Sequence, residues 1–358
     1  MARDARAGNV LPPWQGGRPH PPAGAGGRVR LRLRQRRGPC ANGVGSLHAA
    51  EGIHCRLQRR NPGKTAEMAP VLKPGNGIVS VVIPCFNHGA YVEDAVRSAL
   101  DQTYPYREVV VVNDGSDDPA TLQVLASLEE NGDPAVTVLH KENGHLSSAR
   151  NHGIRHSRGE YIMTLDADDR LAPELLAKTV PIMEEQRGVG VVTTHVLQFD
   201  DEGPTGVIYT PAGGELRDFL VRNQACGGSL FRRQCWEEAG GYDEEMRDGS
   251  EDWDFWIAVT SCGWRVHAIP EALYLYRDTP GSMYDRTRDR RASAFRQIVV
   301  KHEAAFREHL VDVLHAREVR VQELQARVET VSLTLRNSLS YRTGSAILSP
   351  LRWLRDRV

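Results

Sequence analysis

The residues best suited to chemistry are three carboxylates, Asp166, Asp168 and Asp169, which follow directly on the apolar run at 161–165. That run reads as a buried strand. Clustered like charges at its end are costly beside a core unless something compensates them. A hard cation with oxygen ligands is the natural compensation. An Asp-x-Asp at the carboxyl end of a strand also lies where open α/β sheets bind ligands. Taken alone, the same residues equally suit a solvated turn and the cap of a helix starting near Pro173.

The preceding chain decides between these readings. Ile78-Val79-Ser80-Val81-Val82-Ile83-Pro84 is a β-branched run of the kind a central parallel strand requires. It leads into Cys85-Phe86-Asn87-His88-Gly89 and a helix over 91–102. A second strand over 108–112 ends in Asn113-Asp114-Gly115-Ser116-Asp117-Asp118, with Pro119 at the first position of the next helix. A third strand covers 136–139 and a helix 146–156. Strand–helix alternation at this spacing predicts a mostly parallel sheet with right-handed crossovers. In a doubly wound sheet, the loops at Asn87, Asp114 and Asp166 line one crevice. Acidic loops converging there repel one another without a metal, which argues for a cation and a phosphate-bearing ligand.

Beyond residue 170 the pattern loosens. A helix over 173–186, a strand over 190–195 and a hairpin turning at Asp200-Asp201-Glu202-Gly203-Pro204 are expected. Gly227-Gly228 opens a short strand to 233, and a helix over 234–239 stops at Gly240-Gly241. A helix over 251–262 opens with Glu251-Asp252-Trp253-Asp254, and 265–277 is extended. From Leu310 onward, Leu314, Arg317, Val321, Leu324, Val328, Val331 and Leu335 form a heptad seam flawed at Arg317. A dimeric coiled coil and a helix packed on its own domain both fit, and a homodimer through this helix is the expectation.

The expected organisation is a leader over 1–67, a folded α/β domain over 78–300, a long helix over 301–340 and a basic amphipathic tail over 341–358. The leader is rich in Gly, Pro and Arg without periodicity, and is expected to be disordered or non-native, with Met68 the native start. The tail combines Arg342, Arg352, Arg355 and Arg357 with Ile347, Leu351 and Trp353, which suits either an anionic membrane surface or a frayed end. A net charge of −1 gives no global drive toward nucleic acid. The six cysteines form no Cys-x-x-Cys pair and no zinc spacing, so reduced thiols in a cytoplasmic protein are expected.

Several motifs occur together in one order: Val81-Val82-Ile83-Pro84-Cys85-Phe86-Asn87, Val112-Asn113-Asp114-Gly115-Ser116-Asp117-Asp118, Ala149-Arg150-Asn151-His152-Gly153, Asp166-Ala167-Asp168-Asp169 and Glu251-Asp252-Trp253. This series resembles family 2 glycosyltransferases, over 78–277. The resemblance implies an α/β GT-A fold: a single Rossmann-like, mostly parallel sheet flanked by helices, here with a C-terminal helical extension. It also implies an inverting, bacterial-type enzyme adding one sugar from a nucleotide-diphosphate sugar, UDP-sugar first, to a saccharide or lipid-linked acceptor in cell-envelope or exopolysaccharide synthesis. The expected location is cytoplasmic, with peripheral contact at the inner face of the plasma membrane.

By the same resemblance, the nucleotide-sugar site draws on Pro84, Phe86, Asn87, Asp114, Asp117, Arg150, Asp166 and Gly228. Pro84, Phe86 and Asp114 hold the base, and core packing is an equal reading for Phe86. Asp166 contacts the ribose, and Asp168 with Asp166 holds Mg2+ or Mn2+. Asp252 is the catalytic base, with Glu251 orienting it or contacting the acceptor. Without the other motifs, Glu251 and Asp252 would read as carboxylates that favour a helix N-terminus. The stretch Arg277-Asp278-Thr279-Pro280-Gly281-Ser282-Met283 keeps Arg277 and Ser282 but lacks the histidine many members carry there. Ser349 stands where the Gln-x-x-Arg-Trp signature of processive synthases needs glutamine. Two other classes compete: a non-catalytic nucleotide-sugar-binding scaffold, and a nucleotidyltransferase, which would need a Gly-rich basic loop after the first strand.

Overall fold

The computed structural model describes residues 77–247, 249–279 and 288–338. The leader, the tail over 341–358 and Ser282 lie outside the described residues. The amino-terminal half is β1 (Val79–Cys85), α1 (Gly89–Leu100), β2 (Arg107–Asp114), α2 (Pro119–Glu130), β3 (Val136–Lys141), α3 (His145–His156) and β4 (Tyr161–Thr164). These strands pair in parallel in the order β3-β2-β1-β4. Every residue of β1 is buried, as expected for a strand with helices on both faces. Its alternation separates two cores. Val79, Val81 and Ile83 pack with α1 residues, while Val82 faces α3.

The second half continues the sheet as β8-β6-β9-β5, through β5 (Arg170–Leu171), β6 (Val189–Asp200), β8 (Leu230–Arg232) and β9 (Arg265–Arg277). β8 runs antiparallel between β4 and β6, and β6 pairs with β9 in parallel. Parallel pairings carry most of the ladder. β7 (Gly203–Tyr209) forms a hairpin with β6 around Asp200–Gly203. Helices α4 (Leu175–Glu185), α5 (Leu216–Val221), α6 (Arg233–Ala239) and α7 (Glu251–Ser261) cover the faces. α8 (Arg291–Lys301) and α9 (Glu303–Glu308) then lead to α10 (Leu310–Asn337).

β6 is one strand of 12 residues where the sequence suggested two, because β-bulges absorb the break at His195. β5 has two residues and β8 has three, too few for an alternating pattern to register. Ser250, just ahead of α7, holds φ +67, so the chain turns sharply to aim Glu251 and Asp252 back at the sheet edge.

Candidate active site

The loops after β1 and β2 are clipped together by one side chain. Asn87, at φ +58, donates from Nδ2 to Asp117 Oδ1 at 2.6 Å. Its Oδ1 accepts the Asp117 and Asp118 backbone N–H groups at 3.1 and 3.0 Å. Asn87 and Asp117 are therefore partners of each other, and Asp118 caps α2 by accepting from Thr121 N–H. Pro84 is buried within β1, while Phe86 stands exposed beside the crevice. Asp114 is buried at the end of β2, where its Oδ1 accepts from Lys141 Nζ at 2.6 Å and Gly144 N–H at 3.0 Å.

The three carboxylates after β4 have three fates. Asp169 is internal: Oδ2 accepts the Tyr274 hydroxyl at 2.8 Å, and Oδ1 accepts the Arg277 N–H at 2.8 Å. Burial, with Asp166 and Asp168 nearby, pushes its carboxyl well above the usual range. Asp166 accepts from Arg150 Nη2 at 2.8 Å. Asp168 is half-buried and forms no ion pair among the described residues; burial and Asp166 raise its carboxyl. Arg277 fixes the loop by donating from Nε to the Asp168 carbonyl at 2.9 Å, with its guanidinium 4.6 Å from the Tyr91 and Phe199 rings.

Asp168 and Asp166 fit a divalent cation in chemistry. Asp168 is an oxygen donor with no ion-pair partner among the described residues. Among the described residues, no three His, Cys, Asp or Glu side chains gather to hold a metal. A site of one or two carboxylates completed by phosphate and water is the usual arrangement for Mg2+.

Arg150 joins this loop to α7. Its guanidinium is 2% exposed, and Nη1 donates to Glu251 Oε1 at 2.7 Å while Nη2 holds Asp166. Asp252 follows Glu251. Its Oδ2 accepts from Asn223 Nδ2 at 2.8 Å, and its Oδ1 from Trp253 N–H at 2.7 Å. Burial first, then the Glu251 charge, pushes Asp252 up to about 7, against the opposing pull of Arg150. A carboxylate near 7 can take a proton at neutral pH and release it again.

The glycines at 227 and 228 separate in role. A methyl group on Gly227 would lie 3.8 Å from both Asp252 Oδ2 and Arg150 Nη2, so this residue forms the floor between them. One on Gly228 would stand 1.9 Å from the Tyr274 ring. Glycine at 228 is therefore required by close packing of the protein on itself. The structure thus gathers Arg150, Asp166, Asp168, Glu251 and Asp252 at one edge, with Asp114 and Phe86 farther along the same strand ends.

Sequence reasoning missed Asn223, Lys141 and Tyr274. Asn223 lies 29 residues ahead of the group it serves, in a stretch with no motif. Tyr274 belongs to β9, and nothing in an extended run marks one tyrosine as the partner of a distant aspartate. Lys141 carried a weak signal as a cation at the end of the third parallel strand.

Comparison with known proteins now bears on this arrangement. Residues 80–239 match the model of "Glycosyl transferase family 2". A Bacillus subtilis protein provisionally assigned as the glycosyltransferase EpsE is 30% identical over 203 residues, covering 56% of this chain and 73% of that protein. TuaG of the same organism, provisionally assigned to teichuronic acid biosynthesis, is 28% identical over 200 residues, covering 56% of this chain and 79% of its own length. Other relatives are matched over less, as little as 19% of the protein. Among solved structures, the mannosyltransferase PcManGT of Pyrobaculum calidifontis, in complex with GDP-Man and Mn2+, aligns with a TM-score of 0.51 at 20% identity. That alignment covers 78% of this chain and 87% of the other, and supports the GT-A fold. The strand order, the acidic strand ends and the EpsE match lead to one family: the chain belongs to the family 2 glycosyltransferases.

Proposed function

We propose that this glycosyltransferase inverts the anomeric centre and moves one sugar from a nucleoside-diphosphate sugar, UDP first, to a hydroxyl of a saccharide or lipid-linked acceptor. The observation that carries the reading is Arg150 bridging Asp166 and Glu251 at 2.8 and 2.7 Å, which fixes a proton acceptor beside a donor-side carboxylate. Asp252 accepts the proton of the acceptor hydroxyl while that oxygen attacks C1 from the face opposite the diphosphate. The bond between C1 and the phosphate oxygen breaks, and the electron pair leaves with the nucleoside diphosphate. Inversion follows from a single displacement with the base opposite the leaving group. Asp168 and Asp166 would hold Mg2+ or Mn2+, whose charge would stabilise the leaving diphosphate. Asp114 offers its Oδ2 to a base N–H, and exposed Phe86 offers a ring face to the base.

Cell-envelope or exopolysaccharide synthesis is the assigned setting, supported by TuaG's provisional role in teichuronic acid biosynthesis. The GDP-Man bound by PcManGT keeps guanine donors within the reading. We place the protein on the cytoplasmic side, with the tail over 341–358 touching the membrane. No described helix is long and apolar enough to cross one. Self-association through α10 is also proposed.

The test is nucleoside diphosphate release from a panel of UDP-, GDP- and dTDP-sugars with Mn2+ or Mg2+, for wild type and Asp252→Asn. Metal-dependent release from one donor, lost in the variant, is expected. Pyrophosphate release would mark a nucleotidyltransferase, and donor binding without release even with a matched acceptor would mark a scaffold. Long products from one acceptor would overturn single addition.

A further inference from the structure

Asp252 has two hydrogen-bond donors among the described residues. One, the Trp253 N–H, belongs to the adjoining peptide and is present whatever the surroundings. The other, Asn223 Nδ2, comes from the segment between α5 and β8 and reaches Oδ2 at 2.8 Å. The two ends of the Asn223 amide are not interchangeable. Its Oδ1 accepts the Ala225 N–H at 3.3 Å, and turning the amide over would set a carbonyl oxygen against a carboxylate oxygen. Among the described residues, the titratable and charged groups facing Asp252 are Glu251 from α7, Arg150 from α3, Cys226 from the segment ahead of β8 and Tyr242 from the stretch after α6. Glu251 is a like charge. Arg150 is the only cation of the four, and its donors are directed at Glu251 and Asp166.

We propose that Asn223 is a positioning residue that orients the Asp252 carboxylate and holds it in the ionised form that accepts the acceptor's proton. This rests on the reading of Asp252 as the base. An amide N–H directed at a carboxylate oxygen favours the charged form, and it fixes the plane of the carboxyl group. In a pocket where burial and Glu251 both favour the protonated form, this bond opposes them from outside the motif.

The experiment titrates Asp252 directly by difference infrared spectroscopy, subtracting the Asp252→Asn spectrum from that of each protein. Asn223→Leu keeps the size and removes the donor. Asn223→Asp keeps the shape and adds a second carboxylate, and serves as well should the leucine variant fail to fold. The Asp252 midpoint is expected to rise by about one pH unit in Asn223→Leu, the loss of one hydrogen bond to a charged group. It should rise further in Asn223→Asp. The acid limb of the pH profile for nucleoside diphosphate release should move with it, so that raising the pH restores the rate of Asn223→Leu. A fall in rate with both midpoints unmoved means a merely structural role and overturns the proposal. Full release by Asp252→Asn would instead sink the assignment of the base, while a moved midpoint would still establish the pairing of Asn223 and Asp252.

Discussion

Asp252, the proposed base, combines a catalytic requirement with a cost in stability. Its carboxyl sits at about 7 in the folded protein against an ordinary value of 3.8. Folded molecules therefore hold an extra proton in that window, and stability falls as pH rises through it. Transfer should show the opposite trend, rising as Asp252 ionises through about pH 7. Asp252→Asn should abolish transfer, keep donor binding, and raise stability at pH 8 by about 1–3 kcal/mol. Tm against pH for both proteins checks this; equal slopes between pH 4 and 7 would contradict it. Gly228 makes a second test. Its missing Cβ faces the Tyr274 ring at 1.9 Å, whereas that of Gly227 has 3.8 Å. Gly228→Ala should cost about 3 kcal/mol or more by overpacking, and Gly227→Ala should fold normally, as urea denaturation would show. The carboxylates were legible because like charges at a strand end stand out in sequence. The partners that sort them were not, since Tyr274 lies 105 residues from Asp169 and Asn223 carries no charge.

The strand end at Asp166 and the start of α7 are far apart in the chain and meet through Arg150 of α3. The buried guanidinium faces two carboxylates, so its charge is matched more than once over, and burial of Arg150 and Glu251 is tolerable only together. Arg150→Met should leave Glu251 buried with no cation and cost about 3–5 kcal/mol in chemical denaturation. Adding Glu251→Gln to Arg150→Met should recover part of that loss, because the uncompensated charge is then gone. If the double variant is no more stable than the single one, the pairing is not what holds α7 to the sheet. The elements themselves differed in how far they could be read. β1, β2 and β4 are buried on both faces, so their apolar runs show in sequence whatever the context. α5 is six residues long and β5 two, and each exists because its neighbours complete it.

α10 extends the molecule past its sheet, and its seam is exposed at Leu314 as well as beyond Arg317. Val313 is buried in the core, and the Arg317 guanidinium lies 4.0 Å from the Phe295 ring of α8. The apparent flaw in the heptad is thus a contact of the helix with its own domain. Beyond it, Val321, Leu324, Val328, Val331 and Leu335 are all exposed, from 46% to 70%. A narrow stripe repeating every 3.5 residues is complementary to another such helix, and a flat membrane surface would require a wider apolar face. β-Branched residues at 321 and 328 with leucine at 324 suit a two-stranded parallel pair. In that alignment Arg320 and Arg327 meet Gln325 and Ser332 of the second copy, and no like charges face each other. A dimer is therefore expected in sedimentation equilibrium, and Val328→Glu should shift it to monomer while nucleoside diphosphate release is retained. Val321→Cys should form an interchain disulfide under mild oxidation, since a parallel register sets the two copies of residue 321 side by side. A wild-type protein that stays monomeric at tens of micromolar would refute the dimer, and a Val321→Cys variant that dimerises without forming the interchain crosslink would refute the parallel register.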